Sequence, residues 1–146
     1  MSADKEIRDF IHRHLSSIFE NDIDSYHSTS SEDLTLYEWW VTPHRIDGLP
    51  FHDFMMTEAE RRGSVFGEEA DPDEKSNTRF DLANLHIQQY GDTAIASYTL
   101  MVSTGLPTGV KVTTHNESRV MVNQKGQWKV VHVHKSPAWP APHTQP

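Results

Sequence analysis

Apolar side chains recur every three or four residues in the first part of the chain, the spacing of one face of an α-helix. These positions are Ile7, Phe10, Ile11, Leu15, Ile18 and Phe19. They predict an amphipathic helix from Lys5 to Glu20. The pattern is interrupted at Asn21-Asp22, and a second, short helical turn is expected from Asp22 to about His27.

The pattern that follows is mixed until about residue 78. Leu34 to Val41 is rich in β-branched and aromatic residues and ends at a Thr-Pro pair, which predicts a strand. A proline in a first helical turn is favourable, so Gly48-Leu49-Pro50 is expected to open a third helix that runs to Gly63. The stretch from Gly63 to Thr78 is acidic and predicts an irregular loop.

The pattern in the last part of the chain predicts β-strands joined by short turns. Four long strands are predicted, separated by connections rich in glycine and asparagine: Arg79–Tyr90, Thr93–Thr104, Lys111–Val122 and Gln127–His134. Four prolines from Ser136 onward predict that strand pairing ends there, because proline cannot donate to a ladder.

Helices followed by a meander of strands predict an α+β fold. In this fold the helices pack on one face of a curved, mostly antiparallel sheet, as a cone with a pocket at its wide end. We expect a single domain over residues 1–142 and a disordered tail over residues 143–146.

Composition and charge narrow the function. The 146 residues include 13 basic and 21 acidic side chains, a net charge of −8, and no cysteine. This argues against a nucleic-acid partner, disulfides and cysteine metal sites. With no apolar run long enough for a membrane span and no signal peptide, we expect no membrane partner and a cytoplasmic location.

Candidate chemistry lies mainly on the predicted strands. Arg119 is in mid-strand, where it either pairs with an internal acid such as Glu117 or binds a ligand, since an isolated buried guanidinium is very costly. His132 and His134 share a face and, with His115, could ligate a metal. No carboxylate stands at a recognisable ligand spacing, so we predict no metal and no cofactor.

The tryptophans and one further histidine complete the candidate residues. Trp39 and Trp40 are adjacent in the first predicted strand, so one is expected to face inward and the other to meet solvent or a partner copy. His52 falls in the first turn of the third predicted helix and is either a ligand donor or a surface residue.

Segments across most of the chain resemble the association (hub) domain of calcium/calmodulin-dependent protein kinase II, a member of the cone fold named after nuclear transport factor 2 (NTF2-like). The segments are Asp24-Ser25-Tyr26, Gly48-Leu49-Pro50-Phe51-His52, Asn84-Leu85-His86-Ile87 with Gly91-Asp92, Glu117-Ser118-Arg119-Val120, and Gly126 to Ser136. The last segment, with its glycine, tryptophan and V-H-V-H-K-S run, is the most specific.

The resemblance implies a non-catalytic assembly module that forms a homodimer and, from dimers, a ring. It also implies a polar pocket for a small carboxylate at Tyr26, His52, Arg119 and Lys135. Lysine at 135 stands where the family usually has arginine, and a second arginine position corresponds to Leu100, so the pocket is less cationic. The chain lacks the glycine-rich loop, H-R-D and D-F-G motifs of a kinase.

An enzyme is the alternative, because the same fold hosts SnoaL-like isomerases, dehydratases and cyclases. In that case His52, Tyr26 and one of His132 or His134 could supply the base and the hydrogen-bond donor for proton transfer next to a carbonyl.

Overall fold

The computed structural model describes residues 2–50, 53, 54 and 78–138. Two helices come first, followed by six strands in chain order. They are α1 (Ser2–Phe19), α2 (Ile23–Thr29), β1 (Ser30–Tyr37), β2 (Ile46–Asp47), β3 (Thr78–Tyr90), β4 (Thr93–Leu106), β5 (Gly109–Gln124) and β6 (Gln127–Pro137).

The two helices form where the apolar spacing and capping chemistry favour them. In α1 the predicted apolar face is buried, with Ile11 fully inaccessible to solvent. Asp22 caps α2, and its carboxylate accepts a hydrogen bond from the backbone N–H of Ser25 at 3.2 Å. Asn21, with φ 55°, makes the tight connection between the helices.

The strands form one six-stranded sheet in the order β2-β1-β6-β5-β4-β3. All neighbours are antiparallel except β1 and β6, which run parallel. Side chains along β4 alternate between buried and partly exposed positions, the pattern of a strand with one covered face. The α1 helix contributes to that cover, and Phe19 stacks on Phe80 of β3 with ring centroids 4.7 Å apart.

A β-bulge interrupts β6. Val120 of β5 pairs with His132, but the next residue, Met121, pairs with Val130. Val131 is therefore an extra residue, and the inward positions of β6 change from even-numbered to odd-numbered at this point. Trp128 and Val130 are buried before the bulge, and Val133 and Lys135 are buried after it.

The predicted α+β fold, the first two helices and the four long strands are confirmed. Two details were wrong. The first strand ends at Tyr37 and does not reach Val41, and β6 continues through Ser136 to Pro137, which pairs with His115. A proline at the last strand position needs no ladder N–H, which explains why the ladder tolerates it. The two-residue strand β2 is too short for its pattern to be seen in the sequence.

Some predictions fall on other parts of the chain. The third predicted helix is helical at Leu49-Pro50 and at Asp53-Phe54, and its remaining residues lie outside the described ones. The acidic loop up to residue 77 and the tail at 143–146 also lie outside them. Within the described ranges, neither helix has the length and apolar character that a membrane crossing requires.

Candidate functional site

Two basic and two acidic side chains are buried on the inner side of the sheet. Arg119 and Glu117 lie on β5, Lys135 lies on β6, and Glu38 follows β1. All four expose less than a tenth of their surface. Together with Tyr98 and His115 they form what we call the inner cluster.

Arg119, Glu117 and Tyr98 form a closed set of hydrogen bonds. Arg119 and Glu117 are two residues apart on one strand, so their side chains share a face. Nη1 of Arg119 donates to Oε1 of Glu117 and to Oη of Tyr98. Oη of Tyr98 in turn donates to Oε1 of Glu117 at 2.6 Å, as expected from the direct pairing of these residues between β4 and β5.

His115 binds the other oxygen of the same carboxylate. Its Nε2 lies 2.5 Å from Oε2 of Glu117, and because an ionised carboxylate can only accept, Nε2 carries the proton. The imidazole also contacts the Trp39 and Trp40 rings, with centroids 5.4 Å and 5.6 Å away. His115 is therefore held by a carboxylate on one side and by two indoles on another.

The second ion pair joins Lys135 to Glu38. Nζ of Lys135 lies 3.2 Å from Oε1 of Glu38 and 5.1 Å from the centre of the Trp40 ring, within cation–π range. The parallel pairing of β1 with β6 places these residues together. Tyr37 pairs with His134, and Glu38 and Lys135 are the residues that follow them.

Electrostatics fixes the charge state of the first pair. Burial alone would raise the pKa of Glu117, but the positive charges of Arg119 and Lys135 and the His115 hydrogen bond hold it well below its usual range. Burial alone would lower the pKa of Arg119, yet Tyr98 and Glu117 raise it above its usual value. Glu117 is therefore a carboxylate and Arg119 a guanidinium at neutral pH.

The formal charges of the inner cluster cancel. Arg119 offsets Glu117, and Lys135 offsets Glu38, so the sum is zero when His115 is neutral. Of the two alternatives for Arg119, the internal pair with Glu117 is the one observed. Nε of Arg119 is buried without a hydrogen-bond partner among the residues that the structure describes. One donor of the guanidinium is thus left for a further acceptor.

The structure brings two more of the predicted site residues to this region. Tyr26 is buried, its ring stacks on that of His14 at 5.3 Å, and burial raises the pKa of its phenol while the nearby Arg119 acts in the opposite direction. Lys135 lies in the inner cluster itself. His52 lies outside the described residues.

The other two candidate histidines, His132 and His134, do not lie in the inner cluster. His134 is exposed on the opposite face of the sheet, against Tyr37 at 5.1 Å, and Nδ1 of His132 hydrogen-bonds Oγ1 of Thr35 at 2.8 Å on that same face. His115 faces the other way. Among the described residues no group of three or more histidine, aspartate or glutamate side chains is placed to hold a metal ion.

The prediction that Trp39 and Trp40 alternate within a strand was wrong, because β1 ends at Tyr37, whereas one of the two does meet solvent as predicted. Beyond a strand end the alternation of faces no longer applies, and both Trp39 and Trp40 contact His115. The two rings also meet edge to face, 4.5 Å apart at 85°. Trp39 still exposes 41% of its surface, so this pair forms the solvent-side border of the inner cluster.

Sequence reasoning missed Tyr98 and Glu38. Tyr98 has a visible signal, since it shares a strand face with buried Ala94, Ala96 and Leu100, where a hydroxyl needs a partner. Glu38 has none, because its partner Lys135 is distant along the chain and is reached only through the pairing of β1 with β6.

The opposite side of the sheet is uncharged over its centre. Before the bulge, Lys129 is an outward residue of β6, and its Nζ donates to the carbonyl oxygen of Ser28 at 2.7 Å. We define the outer face by the central outward positions of β4, β5 and β6, which do not include Lys129. They are Ile95, Ser97, Thr99, Met101, Thr114, Asn116, Ser118, Val120, His132, His134 and Ser136. Arginine, lysine, aspartate and glutamate are absent from this set, whereas the neighbouring edge strand β3 carries the exposed Arg79–Asp81 pair.

Helices on one side of a curved six-stranded sheet define the class of protein, since this is the NTF2-like fold. An NTF2-like protein of unknown function from Pseudomonas putida has a TM-score of 0.73 at 19% identity, covering 97% of this chain and 90% of that one. A putative ketosteroid isomerase from Shewanella frigidimarina has a TM-score of 0.66 at 15% identity, covering 88% and 92%. At these identities the likeness shows the fold alone.

Within that class, the chain belongs to the calcium/calmodulin-dependent protein kinase II association domain family, whose model matches residues 3–139. The hub of S. rosetta CaMKII is 26% identical with a TM-score of 0.74, covering 92% of this chain and 95% of that one. Among curated protein sequences no match was found.

Proposed function

We propose that this chain is a non-catalytic module that associates with copies of itself through the outer face and binds a small carboxylate at the inner cluster. Membership of the association domain family carries the first part. The outer face is the surface that fits it. A homodimer, and a ring of such dimers, is the assembly we propose, in a cytoplasmic location that stays a prediction from composition.

The outer face has the composition of an interface. Depletion of charged residues distinguishes the core of a protein–protein contact from ordinary surface, and sheets that face only water usually carry charges. The central pairs Ser97–Ser118 and Ile95–Val120 offer short, uncharged side chains to a facing sheet. Such a surface can approach a second copy without desolvating an unpaired charge.

The mass of the native protein tests this part. We expect a dimer or larger species at micromolar concentration by native mass spectrometry and light scattering. Ser118→Asp, which places a negative charge in the middle of the outer face of each copy, should shift the mass towards the monomer. Gln127→Glu adds the same charge at the exposed start of β6 and should leave the mass unchanged. A wild-type protein that stays strictly monomeric would contradict the proposal.

The carboxylate proposal rests on the donors of the inner cluster. The buried Nε of Arg119 lacks an acceptor among the described residues, and the nearby Lys135 interacts with Glu38 at the long distance of 3.2 Å. A small carboxylate would supply the missing acceptor, and leaving a buried donor unmatched costs about 1–3 kcal/mol. The bulk of the two indoles at the border would restrict the ligand to a small one.

Calorimetry with small organic acids tests the ligand. Arg119→Lys keeps the positive charge for Glu117 but removes the guanidinium fork, and should weaken binding at least about tenfold, the ordinary worth of one charged hydrogen bond. Circular dichroism checks that the variant folds. Arg79→Lys on the edge strand is the matched control and should bind as the wild type does. Equal affinity of the Arg119→Lys variant would remove Arg119 from the site.

An isomerase-like enzyme is a weaker candidate. In its favour is the buried Glu117–His115 pair, since a carboxylate that orients a histidine occurs in many general bases. Against it, Arg119 and Tyr98 engage the same carboxylate and hold the pKa of Glu117 low, which makes a poor base. His134, the predicted alternative base, lies on the other face of the sheet.

A further inference from the structure

The charge balance of the inner cluster limits what can bind there. An anion that enters a site whose fixed charges cancel adds one uncompensated negative charge to a buried environment, which is costly. Neither Arg119 nor Lys135 is in surplus, because each already faces its own carboxylate. The proposed carboxylate ligand therefore needs one more positive charge than the fixed groups provide.

His115 is placed to supply that charge. Histidine is the side chain whose charge ordinarily changes between about pH 5 and pH 8. Its Nε2–H already donates to Glu117, so a second proton would go to Nδ1 and convert the ring from acceptor to donor on that side. An ionised carboxylate at the first nitrogen stabilises the imidazolium that forms.

The groups around His115 come from four elements. Glu117 and Arg119 lie on its own strand, and Glu117 contacts it directly. Tyr98 of β4 donates to the same Glu117, and Lys135 of β6 pairs with Glu38 after β1. Burial raises the pKa of the Tyr98 phenol, so it stays neutral. Arg119 and Lys135 oppose a further positive charge, and the two carboxylates favour it, so an added anion tips this balance.

We propose that His115 takes up a proton when a small monocarboxylate binds, so that the ligand and the proton enter the inner cluster together. This inference deepens the proposed carboxylate site and rests on it. The ligand class is a monoanion whose carboxylate accepts a hydrogen bond from Nε of Arg119. Binding of such an anion becomes tighter as the pH falls.

Calorimetry at several pH values tests this with two acids that stay ionised throughout, pyruvate and benzoate. Pyruvamide serves as the uncharged probe. Between about pH 8 and about pH 5, wild-type affinity should rise by up to about tenfold per pH unit, the limit for linkage to one proton. Repeating the titrations at neutral pH in HEPES and in Tris, which differ in their heat of ionisation, measures the protons taken up, and we expect up to one per anion and none for pyruvamide.

The substitution His115→Gln gives the decisive comparison. Glutamine keeps an N–H that can reach Glu117 but cannot titrate, so this variant should bind without proton uptake and without the pH dependence. His44→Gln, at an exposed position, is the matched control and should behave as the wild type does. The ring signals of His115 in nuclear magnetic resonance spectra should move to the protonated form on saturation with pyruvate.

The outcomes separate the two proposals. Binding of pyruvate or benzoate that is independent of pH and takes up no proton overturns the role of His115 but leaves the carboxylate site intact. A His115→Gln variant with wild-type proton uptake also overturns it. If neither acid binds at any pH, both the site and this inference are wrong, whereas self-association is decided separately by the mass measurement.

Discussion

The buried Arg119–Glu117 ion pair has a matched partner on the surface of the same sheet. Arg79 and Asp81 on β3 are also two residues apart, with Nη2 3.0 Å from Oδ1. Their side chains are 73% and 50% exposed, against 2% and 1% for Arg119 and Glu117. The two pairs differ mainly in burial, so their substitution separates the effect of burial from that of pairing.

The expected magnitudes differ severalfold. Arg119→Met leaves the carboxylate of Glu117 buried and without its principal counter-ion, which should lower the free energy of unfolding by about 3–5 kcal/mol. Arg79→Met removes a solvated pair and should cost at most about 1 kcal/mol. The double change Glu117→Leu with Arg119→Met removes both charges, so it should cost clearly less than the two single changes added together.

Urea unfolding measures the changes in free energy, and thermal unfolding measures the changes in Tm. Protein concentration is held constant, because association contributes to the apparent stability. For a domain of this length, each kcal/mol lost from the free energy of unfolding lowers the Tm by about 2–4 °C. Arg119→Met should therefore lower the Tm by about 6–20 °C, and Arg79→Met by at most about 4 °C. If Arg119→Met costs no more than Arg79→Met, or if the single changes simply add, the buried pair is not a coupled unit and the reasoning fails.

Two further outcomes follow from the hydrogen bonds and the pKa of Glu117. Tyr98→Phe removes the hydroxyl that links Arg119 to Glu117 and should cost about 1–3 kcal/mol in urea unfolding, whereas Tyr90→Phe, at an exposed position, should cost at most about 0.5 kcal/mol; equal costs would show that the link is unimportant. Because the pKa of Glu117 is lower in the folded than in the unfolded protein, its contribution to stability is present above the unfolded pKa of 4.5 and is lost as the pH falls from there towards the folded pKa. Wild-type stability should therefore fall between about pH 5 and pH 2 more steeply than that of Glu117→Gln, while Asp81→Asn keeps the wild-type slope; parallel curves for the wild type and Glu117→Gln would contradict the low pKa.

Local patterns predict the features that local physics decides. The apolar spacing of α1 is sufficient for its helix, and the alternation in β4 favours a strand with one covered face. In β5 the buried positions include the polar His115, Glu117 and Arg119, so apolar alternation does not mark its covered face. The Arg119–Glu117 pair is also local, since residues two apart on a strand share a face. The Lys135–Glu38 pair depends on the parallel contact of β1 with β6, which joins residues 97 positions apart, and no local pattern carries that information.

The bulge at Val131 decides which residue of the His134-Lys135 pair reaches the inner cluster. Adjacent strand residues face opposite sides of the sheet. His134 as a base and Lys135 as a ligand donor therefore cannot both face the inner cluster. Strict alternation from buried Trp128 would turn His132 and His134 inward and Lys135 outward. One extra residue reverses this, which places an ammonium beside Glu38 and leaves both histidines on the outer face. The same residue thus balances the charge of the inner cluster, removes a candidate base from it and puts two titratable rings on the surface proposed for self-association.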